Sequence, residues 1–356
     1  MRIALIAPPF ISVPPRKYGG TELFIGHLAR GLRDLGLEPV VYTNGESTID
    51  VERRWLYPKA QWPIDGEVYS SLTDVNHTAW AVADAARDCD VIHLNNIPGL
   101  VHSHFIDLPF VYTVHHVHEQ TLTNFYNYYS QVQFVTISDF QRQQEPMPQI
   151  RTIHHGIDLD QYRLREKKQP YLAFIGRIAP VKGTHLAIHA AKRAGMPLKI
   201  AGEVQPIFRD YYETQVKPHI DGKNVEYVGE ADLAAKNELL GNATAMLFPI
   251  QWNEPFGLVM IEAMACGTPV IAFPGGSVAE VVREGVSGAV CRSVEEMATR
   301  ARDAGTTYNP AEVRAYTAQR FSREVMAGKY AALYRELIKD ETAALSRKAA
   351  AKLLAA

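Results

Sequence analysis

Short apolar runs alternate with longer amphipathic stretches along most of this chain, and the whole alternation occurs twice. That pattern leaves few folds open. Parallel strands cannot be joined by a tight hairpin, so each apolar run needs a long crossover before the next, most often a helix. In the first series the expected strands cover residues 2–7, 39–43, 91–94, 110–114, 134–137 and 152–154. Between the first two lies an expected helix over 21–35, with Leu23, Phe24, His27, Leu28, Leu32 and Leu35 on one stripe. The second series has expected strands over 171–175, 198–201, 225–228, 245–249 and 269–273, and helices over 184–194 and 257–265. Residues 163–170 carry Arg163, Arg165, Glu166, Lys167 and Lys168 ahead of Pro170 without any period, and read as a linker. The expected organisation is an α/β chain of two doubly wound parallel-sheet domains, 1–162 and 171–320, with 321–356 as a C-terminal segment. A length of 356 residues suits two domains. In open α/β sheets ligands sit beyond the carboxyl ends of the strands, so site residues are sought there.

Charge and cysteine usage narrow the function classes. The formal net charge is −2, so no basic field argues for nucleic acid, although local basic clusters leave peripheral membrane contact open. No run approaches the roughly 20 apolar residues of a transmembrane helix. The apolar start ends at Pro8 and Pro9 and reads as a buried first strand rather than a signal peptide. Cys89, Cys266 and Cys291 are odd in number and far apart, which suits a reducing cytoplasm and offers neither a disulfide framework nor a metal-ligand pair.

The strongest signal runs from Asn253 to Val270. Glu254 precedes a helix that starts near Gly257, and Glu262 lies inside it, eight positions on. A helix N-terminus favours a diphosphate, and carboxylates accept hydrogen bonds from sugar or ribose hydroxyls. On periodicity alone, a capped amphipathic helix with two solvated acids fits as well. A second loop follows the strand ending near Gly176 and presents Arg177 and Lys182, two cations suited to a pyrophosphate leaving group. Taken alone, it reads first as an ordinary βα loop with surface Arg and Lys. Near the start, Gly19 and Gly20 end a long loop after the first strand, where main-chain N–H groups could approach an anion or a sugar. No dinucleotide fingerprint and no Walker loop is present.

His115, His116 and His118 cluster after an expected strand, but strand alternation separates His115 from the other two, which argues against a metal site. His93, within a strand, reads as a core residue. Asp88 with Asp90, and Asp158 with Asp160, read as turn or cap carboxylates.

Together these motifs resemble the retaining glycosyltransferases of family 4, also called glycosyl transferases group 1, whose GT-B fold has two Rossmann-like domains facing a cleft. The resemblance runs from the Gly19–Gly20 loop to about residue 292. It rests on Glu254 with Glu262, on Pro255-Phe256-Gly257, on Ala265-Cys266-Gly267-Thr268-Pro269-Val270, and on Arg177 with Lys182. His155-Gly156-Ile157-Asp158, Ser138, and Gly275-Gly276-Ser277 with Glu280 add to it.

The resemblance implies a donor site of Gly176, Arg177, Lys182, Gly229, Leu233, Glu254, Phe256, Gly257, Leu258 and Glu262. In it, Glu262 meets the ribose, Glu254 the donor sugar, and the loop near Gly229–Leu233 the base. Gly19 and Gly20 would approach from the other domain, and His115 would line the reaction centre. Glu254, His115, Arg177 and Lys182 are then the candidate catalytic set.

No metal or other cofactor is implied. The donor is a nucleotide sugar, a UDP-sugar before a GDP-sugar and UDP-glucose first, and the acceptor is a hydroxyl compound of unspecified class. A C-terminal helix, expected over 321–337, would return to the first domain. Tyr18, Asn95, Asn96 and the aromatic run Phe125, Tyr126, Tyr128 and Tyr129 are acceptor-side candidates, the run fitting packing equally. Two other readings remain: a non-hydrolysing UDP-sugar epimerase, and a non-catalytic sugar-nucleotide-binding protein.

Overall fold

The computed structural model describes residues 1–16, 19–63 and 66–354, with Glu67 and residues 341–354 as backbone only. Tyr18, an acceptor-side expectation, lies outside the described residues. The chain forms two compact units: residues 1–137, 141–156 and 323 onward, and residues 138–140 with 157–322.

The first unit is a seven-stranded parallel sheet of β1 (Arg2–Ile6), β2 (Glu38–Thr43), β3 (Glu52–Trp55), β4 (Val91–Leu94), β5 (Phe110–Val114), β6 (Gln133–Thr136) and β7 (Ile150–Thr152), in the order β3-β2-β1-β4-β5-β6-β7. Its central strands are buried on both faces, which is why they read as continuous apolar runs. The period of two then sorts them. Ile3, Leu5, Val41, Val91, Val111 and Val135 enter one core. Ala4, Ile6, Val40, Tyr42, Ile92, Tyr112 and Phe134 enter the other.

The first core is closed by the helix Gly20–Asp34 and by the start of the C-terminal helix Arg323–Leu354, which contributes Met326, Ala327, Tyr330, Ala331, Leu333 and Tyr334. The two helices meet at Gly31, where an added Cβ would lie 2.5 Å from the Ala327 Cβ.

Two details of this unit depart from the expectations. The strand expected over 152–154 is Ile150–Thr152, because Ile153 turns into the first core and the chain leaves the sheet. β3 is additional. Its sequence is charged, and it is held at the sheet edge by ion pairs from Arg54 to Asp84 at 2.7 Å and to Asp88 at 2.6 Å.

The second unit is a six-stranded parallel sheet of β8 (Gln169–Ile175), β9 (Leu198–Ala201), β10 (Val225–Tyr227), β11 (Ala243–Phe248), β12 (Val270–Ala272) and β13 (Gly288–Val290), in the order β10-β9-β8-β11-β12-β13. The helices Thr184–Ala194, Leu233–Asn242, Leu258–Ala265 and Val294–Thr307 are among its crossovers.

The expected linker over 163–170 is a correction. The Arg163 N–H donates to Asn237 Oδ1 at 2.8 Å. The Lys168 ammonium donates to the carbonyls of Gly241 and Cys266 at 2.9 and 3.1 Å, and to Thr268 Oγ1 at 2.8 Å. These charges serve the carboxyl ends of two helices, where cations are favoured. The segment therefore belongs to the second unit, and the chain passes between units at 137/138, 140/141, 156/157 and 322/323. Arg314 adds a clamp, its guanidinium donating to the carbonyls of Leu159, Tyr162 and Ala265.

Valine at Gly31 would force the C-terminal helix off the helix Gly20–Asp34. Gly31→Val should cost about 1–3 kcal/mol of unfolding free energy, read as a lower urea midpoint at unchanged slope. An unmoved midpoint would show that the close approach at Ala327 carries little of the stability.

Candidate functional site

The donor-type residues of the second unit lie in loops at the carboxyl edge of its sheet, and main-chain contacts set those loops. Glycines allow the closest ones. At the ends of β8 and β9, a Cβ on Gly202 would sit 1.7 Å from the Gly176 carbonyl, and the Gly202 N–H donates to the Gly229 carbonyl at 2.9 Å. Gly183, at φ 72°, lies against the Pro249 carbonyl with room for no side chain, and the Gln251 N–H donates to the Val181 carbonyl at 2.7 Å. The loop after β8 is thereby tied to the loop after β11.

This tie brings Lys182 to Glu254. The Lys182 ammonium lies 2.6 Å from Glu254 Oε2 and 4.5 Å over the Trp252 ring, while Trp252 Nε1–H donates to the same oxygen at 2.9 Å. The Gly275–Gly276 turn closes behind it, since a Cβ on Gly276 would meet the Glu254 carbonyl at 2.1 Å. The Ser277 N–H donates to that carbonyl at 2.9 Å, and its hydroxyl donates to the Phe256 carbonyl at 2.9 Å. Phe256 itself is buried against Phe321. Gly257, at φ 79°, starts the helix Leu258–Ala265 with no side-chain cap among the described residues. The first turn, beginning at Leu258, therefore presents main-chain N–H groups suited to an anion.

Glu262 lies deeper, 2% exposed, on the same helix. Its carboxylate accepts from the Lys236 ammonium at 2.9 and 3.0 Å and from the Tyr162 hydroxyl at 2.9 Å. Lys236 stands on the helix Leu233–Asn242, which Asp232 caps by accepting from the Ala235 N–H at 2.9 Å, with Leu233 at its exposed start. Arg177 lies after β8, its Nη1 3.5 Å from Gln205 Oε1. All ten donor-side expectations thus fall at one edge of one sheet. Tyr162, Lys236 and Trp252 were missed. Tyr162 and Lys236 stand 100 and 26 positions from Glu262 and no local pattern marks them.

In the first unit Gly19 and Gly20 open the helix Gly20–Asp34, and the Gly19 carbonyl accepts from the Leu23 N–H at 3.0 Å. His115 follows β5 and shares a hydrogen bond of 2.9 Å with Asn95 Oδ1. Its ring stacks on His155 at 5.6 Å and meets the edge of Phe24 at 4.9 Å.

The neighbouring histidines part ways. His116 bonds the Tyr126 hydroxyl, while His118 pairs with Glu145, a partner 27 residues away. His93 is wholly buried between Tyr334 and Thr113. Asp88 pairs with Arg54 and Asp158 caps a short turn, so both act as edge and cap carboxylates. Asn96 is tied to Asp74, and Tyr126 and Tyr129 are core residues, which removes them from the acceptor surface.

Two predictions follow from these surroundings. Lys236→Met strips the cation from a buried carboxylate and should cost about 2–4 kcal/mol; a melting curve unchanged from wild type would contradict the ion pair's role. The second concerns acid. Burial lowers His77 to about 4, His93 and His115 to about 3, and His155 well below its usual value. As pH falls below 6.5 the unfolded chain takes up protons that these folded imidazoles refuse, so their contribution is lost on acidification. Glu22, raised to about 7 by burial, opposes this, adding stability that is complete below 4.5 and lost as pH rises through 7. Burial lowers His102, His185 and His219 as well and raises Asp74 alongside Glu22, so the histidines outnumber the raised carboxyls and the urea midpoint should be lower at about pH 5 than at about pH 7.5. A higher midpoint at acid pH would show that Glu22 dominates.

Comparison with known proteins agrees with this geometry. Residues 158–316 match the family model of Glycosyl transferases group 1, and residues 18–161 match that of Glycosyltransferase Family 4. A glycogen synthase of Mycobacterium tuberculosis is 32% identical over 167 residues, 44% of this chain, and the chain spans only 40% of that relative's length. A glycosyltransferase of Methanocaldococcus jannaschii is 24% identical over 344 residues, 81% of this chain and 84% of its own. Among solved structures, a glycosyltransferase involved in avilamycin A biosynthesis is 24% identical with a TM-score of 0.71, covering 95% of this chain and 98% of its own. Anabaena HepE, in complex with UDP and glucose, is 20% identical with a TM-score of 0.73, covering 94% and 99%. With two family models tiling 18–316 and the fold shared across nearly the whole length, the chain belongs to the group 1/family 4 glycosyltransferase superfamily and has the GT-B fold.

Proposed function

We propose that the protein transfers a hexose from a nucleoside-diphosphate sugar to a hydroxyl acceptor with retention of anomeric configuration and without a metal ion, UDP-glucose being the first donor to try. The observation that carries this reading is the contact of Lys182, Trp252 and Glu254 at the uncapped start of the helix Leu258–Ala265. An ammonium has three donors, so Lys182 can keep Glu254 and still reach a phosphate oxygen. With Arg177 and the helix N-terminus it would stabilise the charge that grows on a departing diphosphate, the term on which such transfer depends. Glu254 would then accept hydrogen bonds from hydroxyls of the donor sugar, and Glu262, backed by Lys236, from the ribose. The UDP held by Anabaena HepE supports uridine over guanosine.

In the first unit, Gly19, Gly20 and a neutral His115 are the proposed acceptor-side groups. No dedicated base is required if a phosphate oxygen takes the acceptor's proton. Among the described residues no helix is long and apolar enough to cross a membrane. The three cysteines are free and buried, in keeping with the proposed cytoplasmic location.

Incubation with UDP-, GDP- and ADP-sugars, with and without chelator, tests the reading. Donor hydrolysis should resist chelator and fall about 100-fold or more in Glu254→Ala and Lys182→Ala, and the transferred sugar should keep its anomeric configuration by NMR. A strict need for divalent metal would overturn the metal-independent part. Epimerised donor without UDP release would favour the epimerase, and binding without turnover a non-catalytic protein.

A further inference from the structure

We propose that the first unit carries a saccharide pocket that holds one pyranose ring of the acceptor, bounded by the loop after β1, the loop after β3 and the first turns of the helix Glu67–Ala85. It rests on the transferase reading and adds the acceptor's chemical class. The pocket encloses about 230 Å³ and is lined chiefly by Phe10, Gln61, Trp62, Tyr69, Ser70 and Thr73.

Its position is that of a ligand site. Phe10 lies in the connection from β1 to the helix Gly20–Asp34, which is long for a βα loop. Ala60 to Pro63 follow the carboxyl end of β3, so the pocket lies on the carboxyl side of the sheet, at its outer strand. The two loops meet at one point, the Gln61 N–H donating to the Pro9 carbonyl at 3.1 Å, and the same oxygen accepts from Asn44 Nδ2–H, after β2, at 3.3 Å.

The lining selects the occupant. Trp62 and Tyr69 are 56% and 59% exposed, an unusual amount of aromatic surface to leave in water around a concave site. The C–H face of a pyranose covers such rings, while its hydroxyl rim needs partners of the kind that Gln61, Ser70 and Thr73 provide. Among the described residues the lining holds no Lys, Arg, Asp or Glu. Among the described residues no side chain of the lining offers a countercharge to a phosphate, a nucleotide or a cationic ligand, and a neutral glycoside needs none.

The test reads saccharide binding directly, on the full chain and without donor. Saturation-transfer NMR with methyl glucopyranoside, mannopyranoside and galactopyranoside should show saturation of ring C–H protons for at least one. Trp62→Ala and Tyr69→Ala, each checked for folding by its melting midpoint, should weaken that glycoside about fivefold, the worth of one aromatic contact; Trp62→Phe should largely restore it. Ring signals undiminished in both alanine variants would overturn the proposal. So would hexyl glucoside saturated only along its alkyl chain, which marks an apolar docking groove. The two readings fail separately. Donor hydrolysis with no saturated glycoside sinks the pocket alone, whereas a Trp62-dependent glycoside signal in a protein that turns over no nucleotide sugar sinks transfer and leaves the pocket standing.

Discussion

A parallel strand can be paired only by chain that has first travelled back along the sheet, and that requirement governs both halves of this protein. Each crossover covers a face of the sheet, so the strands are buried on both sides and lose their polar alternation. Each also delivers its loop to the same edge. In the second unit that edge collects Gly176, Lys182, Gly229, Glu254 and Gly257. The spacing there is set by backbone against backbone, with Gly202 on the Gly176 carbonyl, Gly183 on Pro249 and Gly276 on Glu254. Such contacts tolerate no added methyl group. The side chains that carry charge are positioned by main chain that cannot relax.

The two glutamates show how the fold handles charge at that edge. Each carboxylate faces one ammonium and one neutral donor: Lys182 and the Trp252 indole for Glu254, Lys236 and the Tyr162 hydroxyl for Glu262. A buried carboxylate without such partners would be costly. The pairs differ in where they stand. Glu254 is at the open start of a helix, where a ligand's hydroxyls and phosphates can enter the same network. Glu262 is a turn or more further in and nearly sealed. The proposed function uses that difference, with Glu254 on the reacting sugar and Glu262 as an anchoring contact.

The first unit uses its edge differently. Around Phe24 it gathers three buried histidines: His93 bonded to two hydroxyls, His115 to the Asn95 amide, and His155 stacked on His115. At the β3 side it exposes aromatic rings around a small, uncharged hollow. Under the proposed function the edge of the second unit would take the anionic donor and that of the first unit the neutral acceptor.

Most of this architecture was legible before any coordinates. Helix Thr184–Ala194 announces itself by the glycines at both ends, Gly183 and Gly195, which stop it in left-handed conformation. The central strands announce themselves as apolar runs, because burial on two faces leaves no alternative. Glu254, Glu262, Arg177 and Lys182 were legible because turn residues and charges recur at local spacing around them. What could not be read depends on contacts between distant positions. β3 is a charged edge strand made sensible by distant partners, Asp84 and Asp88 for Arg54 and Arg2 for Glu52. The basic stretch 163–170 looks like a solvated linker until Lys168 is seen satisfying the last carbonyls of two helices. By itself the sequence determined two doubly wound sheets and the carboxylate and cation types of a donor site, since those follow from periodicity and short-range spacing. The tertiary structure alone decided that Lys182 meets Glu254, that Tyr162 and Lys236 hold Glu262, and that Trp62 and Tyr69 face a common hollow, because such partners are chosen by loop closure at a sheet edge and leave no trace in local pattern.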